Sequence, residues 1–288
     1  MAAELVASQA TRVMATVVEN VAVARDTYRI RLEVPVLARA IQPGQFVMIR
    51  PNGSTDPLLG RPFALYDVVE DASGEPWAID VVYLVVGRGT SALAMRRSGD
   101  QVLVWGPLGN GFGPPKAGGH AVFVAGGIGQ TPFLALGKWW LGRQAYAGRT
   151  YQGNTASTSA TLLYGARDAG LLAGLADFAT GGLEVEVATD DGSAGTRGYV
   201  TDLLAKRLEA GSKPAKVIGC GPAPMLSALS KIAIRHDLDC DLSLENSMAC
   251  GFGACFSCVT PIRQPDGSTD LRRVCLEGPI FACKDVVI

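Results

Sequence analysis

HAVFVAGGIGQTP, residues 120–132, reads as a buried strand that runs into a glycine-rich turn. TPFLALGKWWLGRQAYA, 131–147, follows with apolar residues at helical spacing. The alternation then continues along the chain. Strands are expected at TLLYGA (161–166), LEVEVATD (183–190) and KVIGCG (216–221). Helices are expected at AGLLAGLADFA (169–179), TDLLAKRLEA (201–210) and APMLSALSKIAIRHD (223–237). Strand and helix alternating through short connections predict a parallel, doubly wound α/β sheet. YAGRTYQGNTASTSA, 146–160, is small and polar, and is expected as a solvated insert on one edge.

Upstream the period changes from helix-like to strand-like. RVMATVVENVAVA (12–24), TYRIRLEVPV (27–36), QFVMIRP (45–51), FALYDVVE (63–70), AIDVVYLVV (78–86) and QVLVWGPLG (101–109) are β-branched or alternating runs. The turn formers PGQ (43–45), PNGST (51–55), DASGEP (71–76) and RSGD (97–100) separate them. Six such strands predict a small antiparallel barrel, with SALAMRR (91–97) as one short helix. Downstream, ENSMACGFGACFSCVTPIRQPDGSTDLRRVC (245–275) is a cysteine loop followed by a hairpin with a PDGS turn. The expected domains are therefore 1–115, 116–240 and 241–288. No internal repeat or low-complexity segment interrupts them.

Composition narrows the function class. The 288 residues are 48% hydrophobic, ample for packed cores, and the formal net charge of -1 implies no polyanion-binding surface and no nucleic-acid partner. No run is long and apolar enough to span a bilayer. MAAELVASQATRV, 1–13, lacks a basic region followed by an apolar one, so a cytoplasmic chain is expected. The 35 glycines cluster between apolar runs, as tight backbone approaches to ligands require. The seven cysteines are an odd number, and four lie between positions 250 and 275. In a reducing compartment that clustering points to metal or redox chemistry.

Cys250, Cys255 and Cys258 have the spacing C-x4-C-x2-C, and Cys275 lies further on. This is the spacing of a plant-type [2Fe–2S] site. Two irons share two sulfides, and each iron takes two thiolates. Gly251 and Gly253 suit a loop that curls round inorganic sulfide and donates N–H bonds to it. The fourth ligand is expected on the far strand of the hairpin. A zinc ribbon and inert buried thiols are the competing readings, and Cys240 and Cys283 compete as fourth ligand. The only histidines, His120 and His236, lie far from the loop, which excludes a Rieske arrangement.

Four further stretches can hold phosphates or rings. In GRPFALYD (60–67), Arg61 can neutralise a pyrophosphate, and the residues after it can lie along a flat ring. In VGRGTSALA (86–94), Gly89, Thr90 and Ser91 sit at a helix start, as phosphate sites and simple helix caps both do. In VAGGIGQTP (124–132), Gly126, Gly127 and Gly129 would let a dinucleotide approach a helix N-terminus, although the full G-x-G-x-x-G pattern is absent. GCGP (219–222) ends a later strand, where open α/β sheets bind ligands; Cys220 and Gly221 belong to it.

Taken in order, this barrel, R-P-x-A, G-x-G-T, G-G-x-G-x-x-P and C-G-P-x-x-M resemble the ferredoxin–NADP reductase superfamily. TDDGSAGTRG (189–198), LENSMACGFGACFSC (244–258) and RVCLEGPIF (273–281) resemble, within it, the electron-transfer subunits of type B dihydroorotate dehydrogenases. The similarity runs from about residue 12 to 281. It implies an FAD held at Arg61, Pro62, Phe63 and Ala64, at Val82, Tyr83 and Leu84, and at Gly89 to Ser91. It implies a [2Fe–2S] cluster on Cys250, Cys255, Cys258 and Cys275. It also implies an NADH/NAD+ site that Asp190 borders, and an FMN-containing dihydroorotate dehydrogenase catalytic subunit as partner, in a heterotetramer of two plus two. Electrons from dihydroorotate would pass from that subunit through the cluster and FAD to NAD+, in pyrimidine biosynthesis. Relatives often carry Ser or Thr where this chain has Ala64. The rival expectations are a reductase subunit of a sulfide dehydrogenase or of a ferredoxin–NADP transhydrogenase, and a non-enzymatic zinc-binding adaptor.

Overall fold

Two seven-stranded sheets and one hairpin make up the structure, a computed structural model that describes residues 10–52 and 56–288. The N-terminal residues 1–9 and the turn positions 53–55, both part of the expectations above, lie outside the described residues.

The first sheet contains β1 (Thr11–Ala24), β2 (Thr27–Glu33), β3 (Phe46–Pro51), β4 (Arg61–Ala64), β5 (Asp67–Glu70), β6 (Pro76–Leu84) and β7 (Gln101–Leu108). Its order is β4-β3-β7-β1-β2-β6-β5, with antiparallel pairing throughout. The run expected as one strand over 63–70 divides in two. At Leu65 the backbone N–H still bonds to Gln45 in front of β3, and at Tyr66 it bonds to Asp80 of β6. The chain thus changes partner between the two edges of the sheet, which closes the barrel. The strand expected over 27–36 stops at Glu33, because Pro35 has no N–H for the ladder and instead starts the short helix α1 (Pro35–Ala38). The short helix expected over 91–97 is α2 (Arg88–Ala94), which starts three residues earlier and ends before Met95.

The second sheet begins with β8 (His120–Gly126) and α3 (Phe133–Trp140), then β9 (Ser159–Ala166), α4 (Leu175–Thr180) and β10 (Glu184–Thr189). Next come β11 (Thr196–Arg197), α5 (Val200–Glu209), β12 (Lys216–Cys220), α6 (Ala223–Arg235) and β13 (Cys240–Ser243). The order is β11-β10-β9-β8-β12-β13-β16, in which β16 is Ile280–Ala282. The strands run parallel except β16, which returns antiparallel beside β13. The last segment therefore lends an edge strand to this sheet. Its remaining elements are the hairpin β14 (Val259–Arg263) and β15 (Thr269–Arg273) and the short helix α7 (Val274–Glu277). Helix α4 is shorter than its apolar run because Gly174, at φ 74°, interrupts the helical path.

The two sheets and the last segment share cores. One buried cluster joins Phe46, Met48 and Leu108 of the barrel to Val122, Val124 and Leu242 of the second sheet and to Cys258, Cys275 and Leu276. A polar tie reinforces the junction. Asp67 on β5 is buried between the Lys138 ammonium and the Tyr146 hydroxyl, which donates to it at 2.7 Å. The 146–160 stretch is therefore anchored, although mostly exposed as its composition predicts. Tyr146 is 1% exposed, the Arg149 carbonyl accepts from the Trp139 indole at 3.0 Å, and residues 148–150, 152–155 and 158–159 are the exposed ones.

Candidate functional site

The strand order reverses between β9 and β12, on either side of β8. Open α/β sheets bind ligands at such a switch, outside the C-terminal ends of the strands. Those ends carry the glycine turn of β8 and the GCGP turn of β12. The turns touch: a Cβ at Gly129 would lie 2.3 Å from the Cys220 carbonyl oxygen, so only glycine allows this approach. Gly127 has φ +55° and open space where its Cβ would be, leaving its backbone bare towards solvent.

Two cavities meet there. The first, of about 540 Å³, lies between the barrel and the second sheet. Arg61 to Ala64, Val82 to Leu84, Gly89 and Thr90 form one wall; Thr131, Cys220 and Ser243 to Met248 face them. The second, of about 650 Å³, is bordered by Gly126, Gly127, Gly129, Gly221, Arg167 and Asp190. Leu84, Ile128 and Glu245 border both. The residues expected from the four motifs, Ser91 apart, thus come together at two adjoining hollows, sized for a ring system and a dinucleotide.

Individual side chains refine this. Arg61 donates to the carbonyls of Leu59 and Gly60, at 3.0 and 3.1 Å. Its guanidinium lies against Gly89, where a Cβ would come within 3.2 Å of it. Thr90 is committed to its own turn, because its hydroxyl accepts from the N–H groups of Val86 and Gly87 at 2.9 and 3.2 Å. Ser91 is exposed and borders neither cavity. Burial pushes the Cys220 thiol well above its usual range, with the Glu245 carboxylate adding to the effect. It stays a neutral thiol at the cavity wall. Asp190 and Asp191 have separate surroundings. Asp190 borders the second cavity, whereas Asp191 accepts from the Ser193 N–H and hydroxyl at 2.9 and 2.6 Å and closes a turn.

The cysteine loop follows directly from the cavity wall at Ser243 to Met248. Cys255 is exposed, Cys250 is half-buried, and Cys258 and Cys275 are buried. The thiols approach as two pairs. The Cys275 N–H donates to Cys258 Sγ at 3.4 Å, and burial, followed by the Cys258 thiol, pushes Cys275 up to about 12. The Ser257 hydroxyl, helped by the Ser257 backbone and by Cys250, holds Cys255 down at about 6. Among the described residues, no three His, Cys, Asp or Glu side chains form a cage for a single ion. Two thiol pairs match the two thiolates that each iron of a binuclear cluster takes, rather than one tetrahedral zinc. Gly253, at φ +88°, is pressed against Leu276, and this helps fold the loop onto α7. Cys275 lies on α7 rather than on the hairpin strand. The Glu277 carboxylate accepts the Arg273 N–H at 2.9 Å, which ends the ladder and turns the chain inward.

Three comparisons with known proteins bear on this arrangement. Residues 245–287 match the family described as the iron–sulfur cluster binding domain of dihydroorotate dehydrogenase B. The electron transfer subunit of dihydroorotate dehydrogenase B (NAD(+)) from Desulforamulus reducens is 36% identical, over 92% of this chain and 94% of its own length. The subunit of the same name from Bacillus caldolyticus is 38% identical, over 95% of this chain and 97% of its own length. The chain belongs to this family of electron transfer subunits. Its fold is that of the ferredoxin–NADP reductases. A solved structure of the NADH-dependent reduced ferredoxin-NADP oxidoreductase superposes with a TM-score of 0.78 at 25% identity, covering 96% of this chain and 90% of the other.

Within this family member, two functional candidates escaped the motif reading. Trp105, in the run expected only as a strand, donates its indole N–H to the Cys250 carbonyl at 2.9 Å. Its ring also packs on Gly60, where a Cβ would be 2.4 Å away. It therefore ties the residue before Arg61 to the cysteine loop, and no local pattern marks that role. Glu245 is reached by solvent through the cavities but enclosed by surrounding protein, and this burial raises its carboxyl pKa. Its only signal was its place in LENSMAC, five residues before Cys250.

Proposed function

We propose that this chain is the NAD-linked electron-transfer subunit of a two-component dihydroorotate dehydrogenase. The observation that carries the proposal is the meeting of two cavities at Leu84, Ile128 and Glu245, with the wall of the first running into the cysteine loop. Within the expected spans, the barrel of 1–115 binds FAD, 116–240 binds NAD, and 241–288 carries the cluster while lending β16 and most of β13 to the NAD-binding sheet. Arg61 holds the FAD pyrophosphate by charge-assisted bonds. Pro62 to Ala64 and Val82 to Leu84 flank the flavin. Ala64 brings no hydroxyl, so Thr131 and Ser243 on the opposite wall supply the polar contacts that a Ser or Thr would make. Gly126, Gly127, Gly129 and Gly221 admit the NAD pyrophosphate, and Asp190 meets the adenosine ribose. Cys250 and Cys255 hold one iron, and Cys258 and Cys275 the other.

When bound, FAD supplies the conversion between hydride and single electrons, NAD carries the hydride, and the cluster relays one electron at a time. The chain's residues position these groups. Cys220 keeps a neutral thiol beside the flavin cavity, and the Gly129–Cys220 contact fixes the two turns against each other. Trp105 holds the loop carbonyl of Cys250 against the flavin-binding strand.

Among the described residues no helix is long and apolar enough to cross a membrane, and the chain works in the cytoplasm. Its partner is an FMN-containing catalytic subunit, in a heterotetramer of two plus two, as membership of this family of electron transfer subunits implies. The similarity to the ferredoxin-NADP oxidoreductase structure favours one second reading, a transhydrogenase reductase subunit. One assay separates them. The chain alone should oxidise NADH with an artificial acceptor but not oxidise dihydroorotate, and adding the catalytic subunit should couple dihydroorotate oxidation to NAD+ reduction. Coupling to ferredoxin, and none to dihydroorotate with that subunit present, would establish the second reading instead.

A further inference from the structure

Besides Cys220 at the cavity wall, two cysteines lie outside the loop, at the two ends of the cluster segment. Cys240 opens β13, and Cys283 follows β16. The antiparallel register pairs Asp241 with Ala282, so the next pair along is Cys240 with Cys283. The Cys283 N–H donates to the Cys240 carbonyl at 2.9 Å. Opposed residues in such a hydrogen-bonded pair have Cα atoms about 5.5 Å apart, within the roughly 4.4–6.8 Å that a disulfide spans. The two residues are 6% and 4% exposed, and the Cys240 thiol donates to the Asp241 carbonyl at 3.8 Å. From α6, the buried Ser230 hydroxyl has no hydrogen-bond partner among the described residues, and its nearness helps lower the Cys283 thiol.

We propose that Cys240 and Cys283 form a reversible intramolecular disulfide that clamps the cluster-bearing segment to the α/β sheet. Their position supplies the purpose. Cys250, Cys255, Cys258 and Cys275 all lie between them, so the bond closes the neck of the segment that holds all four. The two thiols are also unlike. The neighbouring Cys240 thiol, aided by Ser230, lowers the Cys283 thiol to about 6. The neighbouring Cys283 thiol, with burial, pushes Cys240 up, so Cys240 keeps the proton. Cys283 is the nucleophile and Cys240 the resolving thiol.

The oxidant is a small hydroperoxide, of which hydrogen peroxide is the simplest. The Cys283 thiolate attacks one peroxide oxygen, the O–O bond breaks, and a sulfenic acid forms as hydroxide leaves. That hydroxide takes up the proton Cys283 lost and becomes water. The Cys240 sulfur then attacks the Cys283 sulfur and the S–O bond breaks. The leaving hydroxide takes the Cys240 proton and departs as a second water. The dithiol loses two electrons, and the peroxide gains them.

The test uses the full chain with flavin and cluster loaded. A few equivalents of hydrogen peroxide are added while cluster absorption is followed. Free thiols are then alkylated under denaturing conditions and the peptides are mapped by mass spectrometry. A peptide pair joined through Cys240 and Cys283 should appear before the cluster absorption falls by half, and dithiothreitol should separate it. Oxidised protein should lose iron to a chelator about threefold more slowly than reduced protein, because the ends of the segment are held together. Cys283→Ala should abolish both the link and the difference in iron loss. The proposal is overturned if the cluster bleaches while both cysteines alkylate, if Cys283 proceeds to a sulfinic acid with Cys240 still free, or if iron loss is the same in both states. Wild-type protein alone decides between these outcomes, so a variant that fails to fold does not leave the question open.

Discussion

The cysteine loop and the dinucleotide crevice are adjacent but are built in opposite ways. Three of the four loop thiols fall within nine residues, Cys250 to Cys258, so their chemistry is set by spacing along the chain. The crevice gathers its walls from the ends of β8, β9, β10 and β12 and from Thr27 and Leu84 of the barrel, over residues 27–245. No short pattern specifies it; the switch in strand order does. A local site should therefore fail when a single ligand is removed, and a topological site when two strand ends are forced apart.

The largest expected effect follows from the first half of that contrast. Cys275→Ser should lose the cluster, because the buried partner of Cys258 disappears, while Cys283→Ser should keep it. Iron and sulfide analysis of the two purified variants decides this, and full iron content in Cys275→Ser would dissolve the pairing. The crevice should break differently. Gly129→Ala drives a methyl into the Cys220 carbonyl, and such overpacking costs about 3 kcal/mol. A denaturant melt should show the loss together with a raised KM for NADH. An unchanged KM would separate the two turns functionally.

How much of this was legible in the sequence follows the same division. The C-x4-C-x2-C spacing and the alternation after residue 120 stand in the chain as patterns. They yielded the cluster loop and the parallel sheet. The split of FALYDVVE into β4 and β5 was hidden, because a change of hydrogen-bond partner at Leu65 and Tyr66 leaves no mark in a continuous apolar run. Trp105 and Glu245 were hidden for a related reason: each acts through neighbours more than a hundred residues away in the chain or through two cavities at once. The 146–160 stretch is mostly exposed, as its composition predicts, but the buried anchor that Tyr146 contributes leaves no mark among so many small polar residues.

Smaller effects sharpen the comparison on the flavin and nicotinamide sides. Arg61→Ala removes a charge-assisted contact worth about 2 kcal/mol, so FAD should dissociate more readily on gel filtration. Retention equal to wild type would reduce Arg61 to a brace for the Leu59 and Gly60 carbonyls. For the nicotinamide, the Asp190 carboxylate should repel a 2′-phosphate while Arg167 on the same cavity opposes it. The expected kcat/KM preference for NADH is about tenfold, or ~1.4 kcal/mol, and Asp190→Ala should narrow it. Equal use of both nucleotides by the wild type would shift the decision to Arg167. Smallest is Tyr146→Phe, which leaves Asp67 with Lys138 and the Val68 N–H and should lower stability by about 1 kcal/mol in a thermal melt, with NADH oxidation unchanged. A fall in activity at unchanged stability would move Tyr146 from anchor to site.

The central claim is that one chain links a nicotinamide crevice to a cysteine-held cluster through the cavity between them. Anaerobic titration of the cofactor-loaded chain with NADH, followed by visible absorption and low-temperature electron paramagnetic resonance, tests it most directly. The flavin absorption should bleach and the signal of a reduced [2Fe–2S] cluster should grow with it; in Cys275→Ser only the bleaching should remain. Full bleaching of the flavin in wild-type protein with an intact cluster and no cluster signal would contradict the account.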